Sequence, residues 1–147
     1  EHALDHLGGD LAQDLALDRP VAVKVLPEGV SRDPRRRDRM IREARAQGIK
    51  VGLLRPITVS PFPVEVLNQL TGQARAFLVT EMNMGQMLDD VQMAVRGRVP
   101  VDFYGRPGGV VPFPDEILSE IQRINTAPVA EYSDPRDAWL TRMNARA

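Results

Sequence analysis

The sequence predicts an α/β fold: a small three-layer domain with a mostly parallel sheet of about four strands. Three observations lead there. Strand-like and helix-like runs alternate from Val21 to Asn125. The strand-like runs (VAVKVL, KVGLL, AFLVT and VPVDFY) are rich in Val, Leu and Ala with little polar alternation, as in strands covered on both faces. The helical runs carry their apolar residues three and four apart, on one stripe. With 147 residues and 43% hydrophobic content the chain can build one domain with its own core.

The elements follow in order. Residues 1–18 are polar and Asp-rich, broken by Gly8-Gly9, and are expected to be poorly ordered. Val21–Leu26 is a strand, closed by Pro27 and Gly29. Ser31 or Asp33 caps a helix with Pro34 in its first turn. Its apolar stripe is thin (Met40, Ile41, Ala44), and it ends at Gly48. Lys50–Leu54 is a strand expected to extend toward Val59, stopped by Pro61 and Pro63. Val66, Leu67 and Leu70 suit a helix, and Ala76–Thr80 a buried strand. Met84, Met87, Leu88, Val91 and Ala94 form the cleanest helical stripe, ended by Gly97. Val99–Tyr104 is a strand followed by the Gly105–Gly109 loop, and Ile117, Leu118, Ile121 and Ile124 line one side of the next helix. The domain is placed at 19–124. Residues 125–147 form a tail in which Asp134-Pro135 can start a short helix bearing Trp139.

One phrase recurs: PFPVEVLNQL at 61–70 and PFPDEILSEI at 112–121. Each places a proline at the first helical turn, where its missing N–H costs nothing, with Glu65 or Asp115 and Glu116 where the helix dipole favours negative charge. The repeat is one helix-start solution used twice, since nothing around the copies matches.

Composition narrows function. A net charge of −1 argues against a free-standing nucleic-acid binder. No apolar run approaches a membrane span and no basic-then-apolar leader is present, so no membrane partner and a cytoplasmic setting are expected. Cysteine is absent, so no disulfide, zinc–thiolate site or cysteine-held iron–sulfur cluster lies within these residues. His2 and His6 share a helical spacing but lack a third ligand, and read as surface histidines. No nucleophile–base pair and no G-x-G-x-x-G phosphate loop is found. No catalytic, cofactor-binding or metal residues are assigned.

Several turn sequences are specific. RPITVSPFP occupies 55–63 after one strand. Glu81, Asn83, Gly85 and Gln86 follow the next. Gly105-Arg106-Pro107-Gly108-Gly109 follows the last. In this order they resemble the C-terminal, transketolase C-terminal-like domain of the alpha subunit of 2-oxoacid:ferredoxin oxidoreductases, over about Glu43 to Ile124. The resemblance implies a fragment of that alpha subunit, of the 2-oxoglutarate/pyruvate type, acting in subunit assembly rather than chemistry. It implies a holoenzyme that decarboxylates a 2-oxoacid on thiamine diphosphate, passes electrons through iron–sulfur clusters to ferredoxin, and forms an acyl-CoA. In such enzymes the thiamine cofactor lies between the alpha subunit's N-terminal domain and the beta subunit. Those two would be this chain's partners, with ferredoxin an indirect one, and the chain alone would bind no cofactor and be inactive.

Arg55, Glu81, Asn83, Gly85 and Gln86 carry two readings. Ligands and partners of open α/β sheets collect at the carboxyl ends of the strands, so Glu81 and Asn83 can contact a partner subunit or cofactor. Alternatively Asn83 caps the next helix and Glu81 holds the turn. Gly85 would let the backbone turn tightly and Gln86 would open the helix. Arg55 can fork onto a neighbouring subunit's carboxylate or tie down its own turn. Met82, Met84, Met87 and Met93 suit core and interface packing better than a soft-metal site. Asp89 and Asp90 diverge on a helix and read as solvated charge.

A second resemblance covers 17–46, LDRPVAVKVLPEGVSRDPRRRDRMIREARA, which is similar to the N-lobe of a bacterial serine/threonine kinase. It implies that Lys24 contacts phosphate and Glu43 is its helix partner. No Gly-rich loop precedes it, and no H-R-D or D-F-G follows, so nothing would orient a hydroxyl or hold Mg²⁺. The alternative function is therefore a non-catalytic interaction module carrying a kinase-derived segment, and the chain reads as composite. Arg35-Arg36-Arg37 reads as a solvated helix face, because acidic and basic residues balance up to residue 46.

Overall fold

AVKV, VGL, FLVTE and VDFYG all become strands, and all run parallel. The computed structural model describes residues 22–25, 34–56, 58–126 and 134–145. The strands are β1 (Ala22–Val25), β2 (Val51–Leu53), β3 (Phe77–Glu81) and β4 (Val101–Gly105). The helices are α1 (Pro34–Ala46), α2 (Val64–Leu70), α3 (Gln86–Val95), α4 (Pro114–Thr126) and α5 (Pro135–Asn144). The sheet order is β2-β1-β3-β4, with every pairing parallel. The expected small α/β domain is what forms.

The order fixes the layers. From β1 the chain steps outward to β2, then crosses back over β1 to β3. Right-handed crossovers in opposite directions place their helices on opposite faces. Accordingly α1 packs with α4, and α2 with α3. β3 is buried along its whole length, which explains why its sequence shows no polar alternation. Leu67, Leu88, Val91, Ile117 and Ile121 meet the sheet from the two sides. The carboxyl ends of all four strands open onto one rim, with the reversal of strand order lying between β1 and β3.

Three expectations need correction. β2 stops at Leu53 rather than running toward Val59; Pro56 has no N–H to give a neighbouring strand. Met84 leaves the helical stripe, because α3 begins at Gln86; it is exposed, as is Met93, so neither packs in the core. Asp89 is not merely solvated charge: Arg136 of α5 pairs with it at 2.6 Å. The order of residues 1–18, the histidines, the caps at Ser31 and Asp33, and the side chain of Lys24 lie outside the described residues.

The two PFP phrases diverge in detail. In the second, the Glu116 carboxylate accepts the backbone N–H of Phe113 at 2.9 Å, the glutamate half of a capping box. In the first, the helix starts one residue later in the phrase, at Val64 rather than at the proline, so its third helical position is Val66 and not Glu65, and Pro63 carries no side-chain cap. The carboxyl end of α4 is closed from outside: Arg75 donates to the carbonyls of Ile124 and Asn125 at 2.7 and 3.0 Å, placing a cation where the dipole is negative.

Candidate functional site

The rim turn after β3 is built by two side chains that reach backward onto the helix they introduce. Glu81, the last residue of β3, is 1% exposed. Its carboxylate accepts the backbone N–H groups of Met87 and Leu88, each at 3.0 Å. Asn83 Oδ1 accepts those of Gly85 at 2.7 Å and Gln86 at 3.1 Å. Together they satisfy the amides that the first turn of α3 leaves without intrahelical partners, and Glu81 adds negative charge at the positive end of the helix dipole. Gly85 adopts φ +99°, and a Cβ there would lie 2.9 Å from Arg136 Nε, so glycine is required twice over.

Arg136, at the start of α5, completes this turn. Its guanidinium donates to the carbonyls of Met84 and Gly85 at 2.9 and 2.6 Å and to Asp89 at 2.6 Å. The hydrogen bond to Asp89 is the main cause holding Arg136 above its ordinary pKa. From the other side, Arg106 N–H donates to the Glu81 carbonyl at 2.9 Å, and its side chain pairs with Glu116. Gly105 lies against this turn; a Cβ there would come within 2.7 Å of the Asn83 carbonyl.

The structure therefore brings Glu81, Asn83, Gly85 and Gln86 into one turn. Arg55 is separate. It follows β2, two strand spacings or roughly 10 Å from β3, and is exposed, with no hydrogen bond among the described residues. Glu43 pairs with Arg39 of its own helix at 2.7 Å; the side chain of Lys24, its partner in the kinase resemblance, lies outside the described residues.

Sequence reasoning missed a second cluster. Asp102 in β4 and Glu120 in α4 are 3% and 1% exposed. Arg123 bridges them, pairing with Asp102 and lying 2.9 Å from Glu120. Arg142 of α5 reaches Asp102 at 3.0 Å and Glu120 at 3.7 Å. Burial works against the charge on Arg123, but the two carboxylates outweigh it and raise its pKa. The available signal was an aspartate inside an apolar strand (VDFY) and a glutamate on the same side as Ile117, Ile121 and Ile124; such residues are rarely buried unless paired.

A parallel sheet whose rim turns read RPIT and E-M-N-M-G-Q defines a class, and comparison with known families identifies it. Residues 30–117 match the family described as pyruvate:ferredoxin oxidoreductase core domain II, and the chain belongs to that family. The match includes the arginine-rich helix α1. The chain is 46% identical over 81 residues to ketoisovalerate oxidoreductase subunit VorB of Methanothermobacter marburgensis, covering 55% of this chain and 23% of that one. It is 36% identical over 81 residues to 2-oxoglutarate synthase subunit KorA of the same organism, covering 55% and 22%. A solved structure of the 2-oxoglutarate:ferredoxin oxidoreductase from Magnetococcus marinus, with 2-oxoglutarate, coenzyme A and succinyl-CoA bound, shares the fold at a TM-score of 0.58 and 18% identity, over 77% of this chain and 19% of that one. The chain thus spans under a quarter of the length of these relatives. Among the described residues no helix is long and apolar enough to cross a membrane.

Proposed function

We propose that this chain is an assembly domain of the alpha subunit of a thiamine-diphosphate-dependent 2-oxoacid:ferredoxin oxidoreductase, and that it carries no chemistry of its own. The observation that supports this most is how the rim turn after β3 uses its polar groups. The amino end of a helix following a parallel strand is the ordinary seat for a phosphate. Here Glu81 and Asn83 take the amides of Gly85, Gln86, Met87 and Leu88. A diphosphate or coenzyme A phosphate approaching there meets a buried carboxylate, so the residues present do not fit it. An iron–sulfur cluster is equally ill served by a sequence without cysteine. Thiamine diphosphate, the clusters and coenzyme A belong, on this reading, to the other polypeptides of the holoenzyme.

The partners are then the beta subunit and the thiamine-binding N-terminal domain of the alpha subunit, with ferredoxin further along the electron path and the complex in the cytoplasm. Arg55 is the docking residue, a planar donor set on the rim with no described partner of its own and suited to a carboxylate of a neighbouring subunit. The test is co-purification with the cognate beta subunit and the thiamine-binding domain. Arg55→Ala is expected to weaken assembly without lowering the melting temperature. Asn83→Ala should lower the melting temperature and leave assembly unchanged. Unaltered assembly in Arg55→Ala, or 2-oxoacid turnover by the isolated chain, overturns the proposal.

A further inference from the structure

The two ends of the sheet differ in what they show to solvent. Eight large apolar residues are exposed among the described residues, and six of them lie at the carboxyl ends of the strands: Val59, Val64, Met84, Val110, Val111 and Phe113. They come from the turns after β2, β3 and β4 and from the helix start that follows β2. β2 and β4 stand three strand spacings apart, roughly 14 Å, so the six share one face. The turns at the opposite end are 47–50, 71–76 and 96–100. Apart from glycines, their exposed residues are Gln47, Lys50, Gln73, Arg75, Arg96 and Arg98. Both sets are connections of the same kind in the same sheet, so position in a turn does not explain the difference. Exposed apolar side chains gathered on one face mark a surface that another macromolecule covers.

The polar groups of these turns are directed inward. Thr58 Oγ1 donates to the Pro61 carbonyl at 3.1 Å. Asn83 takes the amides of Gly85 and Gln86, and Arg136 holds the Met84 carbonyl. Glu116 takes Phe113 N–H and pairs with Arg106. Each turn is braced by bonds to its own backbone, so Val59, Met84 and Phe113 stand on a fixed frame. A surface already held in one shape loses little conformational freedom on docking. Residues 55–61, 82–86 and 106–113 contain no Asp or Glu. Arg55, at the β2 margin of this face, is exposed and has no hydrogen bond among the described residues. An apolar centre with an arginine beside it is the ordinary composition of a protein–protein contact.

We propose that this rim is the surface through which the chain docks another domain of its own subunit, an inference that rests on the assembly role given above. The occupant's chemistry follows from the face: it presents apolar side chains to the six residues and a carboxylate to Arg55. Its source follows from length. The match covers 23% of VorB and 22% of KorA, so more than three quarters of each subunit lies outside the match, in the same polypeptide. A second copy of this chain fits less well. Two copies meeting rim to rim bring Arg55 no carboxylate from any of the three turns.

The experiment mixes the full chain with the cognate thiamine-binding domain of the alpha subunit and, separately, with the cognate beta subunit. Hydrogen–deuterium exchange should show residues 58–60 and 108–111 protected by the alpha-subunit domain, and 96–98 unprotected. Val110→Glu puts a carboxylate on the rim and should weaken that binding roughly tenfold or more, at the parent melting temperature. Met93→Glu makes the same kind of change at an exposed apolar site near the far end of α3, and should leave affinity unchanged. Val59→Glu, in a different turn, repeats the test if Val110→Glu lowers the melting temperature. Equal affinity in the Val110 and Met93 variants, or protection away from the rim, overturns the rim and leaves the assembly role standing. Protection of the rim by the beta subunit alone, or by self-association of the chain, overturns the occupant. A parent chain that binds neither polypeptide overturns the assembly role and this proposal together.

Discussion

The Glu81 carboxylate lies 3.0 Å from the backbone N–H of Leu88, seven residues later. A strand end thereby caps the helix it leads into. The two carboxylate oxygens divide the work, one on Met87 and one on Leu88. Glu81→Gln keeps the shape but turns one acceptor into a donor facing an N–H. The variant should lose about 1–3 kcal/mol of stability, measured by urea denaturation at unchanged slope. A loss within error would mean the carboxylate is dispensable to the turn.

Gly105→Ala tests how closely the rim turns approach each other. A Cβ at this position would lie 2.7 Å from the Asn83 carbonyl and 2.8 Å from the Phe103 ring. Neither neighbour can retreat, one being backbone and the other fully buried. Overpacking of this kind costs roughly 1–3 kcal/mol. Thermal unfolding should show the decrease, together with faster exchange of the Gly85 and Gln86 amides as the Asn83 cap loosens.

The parallel sheet was legible because VAVK, FLVTE and their neighbours lack alternation, and burial on both faces leaves that trace in any sequence. The turn after β3 was half legible. Asn83 at a strand end announces a cap, and its bonds to Gly85 and Gln86 are short-range. Arg136 could not be read, because its targets, Met84 and Gly85, are some fifty positions away and are backbone carbonyls that any residue could present. The same holds for Asp102: the strand pattern VDFY shows that a charge is buried, but not that Arg123 and Arg142 arrive from two later helices. The Met84 stripe misled because apolar spacing continued one turn beyond the helix start, which Gly85 and the Asn83 cap set at Gln86.

The two PFP helices allow a paired experiment. Glu116 accepts Phe113 N–H and pairs with Arg106. Glu65 occupies an exposed place in the first turn of α2 with no described partner. Glu116→Ala should cost about 1 kcal/mol, the ordinary value of a lost cap, and Glu65→Ala only a few tenths through the helix dipole. Equal losses in chemical denaturation would mean that the Glu116 contact to Phe113 N–H adds nothing.

Arg123 is the centre of the buried cluster, and its replacement should be the most costly single change considered. Arg123→Met keeps much of the volume and removes the charge shared by Asp102 and Glu120. Arg142 remains close to Asp102, but stands 3.7 Å from Glu120, so Glu120 loses its 2.9 Å pairing with Arg123. Breaking a buried pair from one side costs about 3 kcal/mol. The folded-state pKa of Arg123 is raised, so its contribution is complete below the unfolded value and is lost only as pH climbs through the folded one. Both values lie in strong alkali. From neutral pH upward, the stability gap between parent and variant should therefore stay flat until that range is reached. A double-mutant cycle with Asp102→Asn separates pairing from packing: strong coupling is expected, and additive losses would show that the guanidinium acts by filling space rather than by holding the carboxylates.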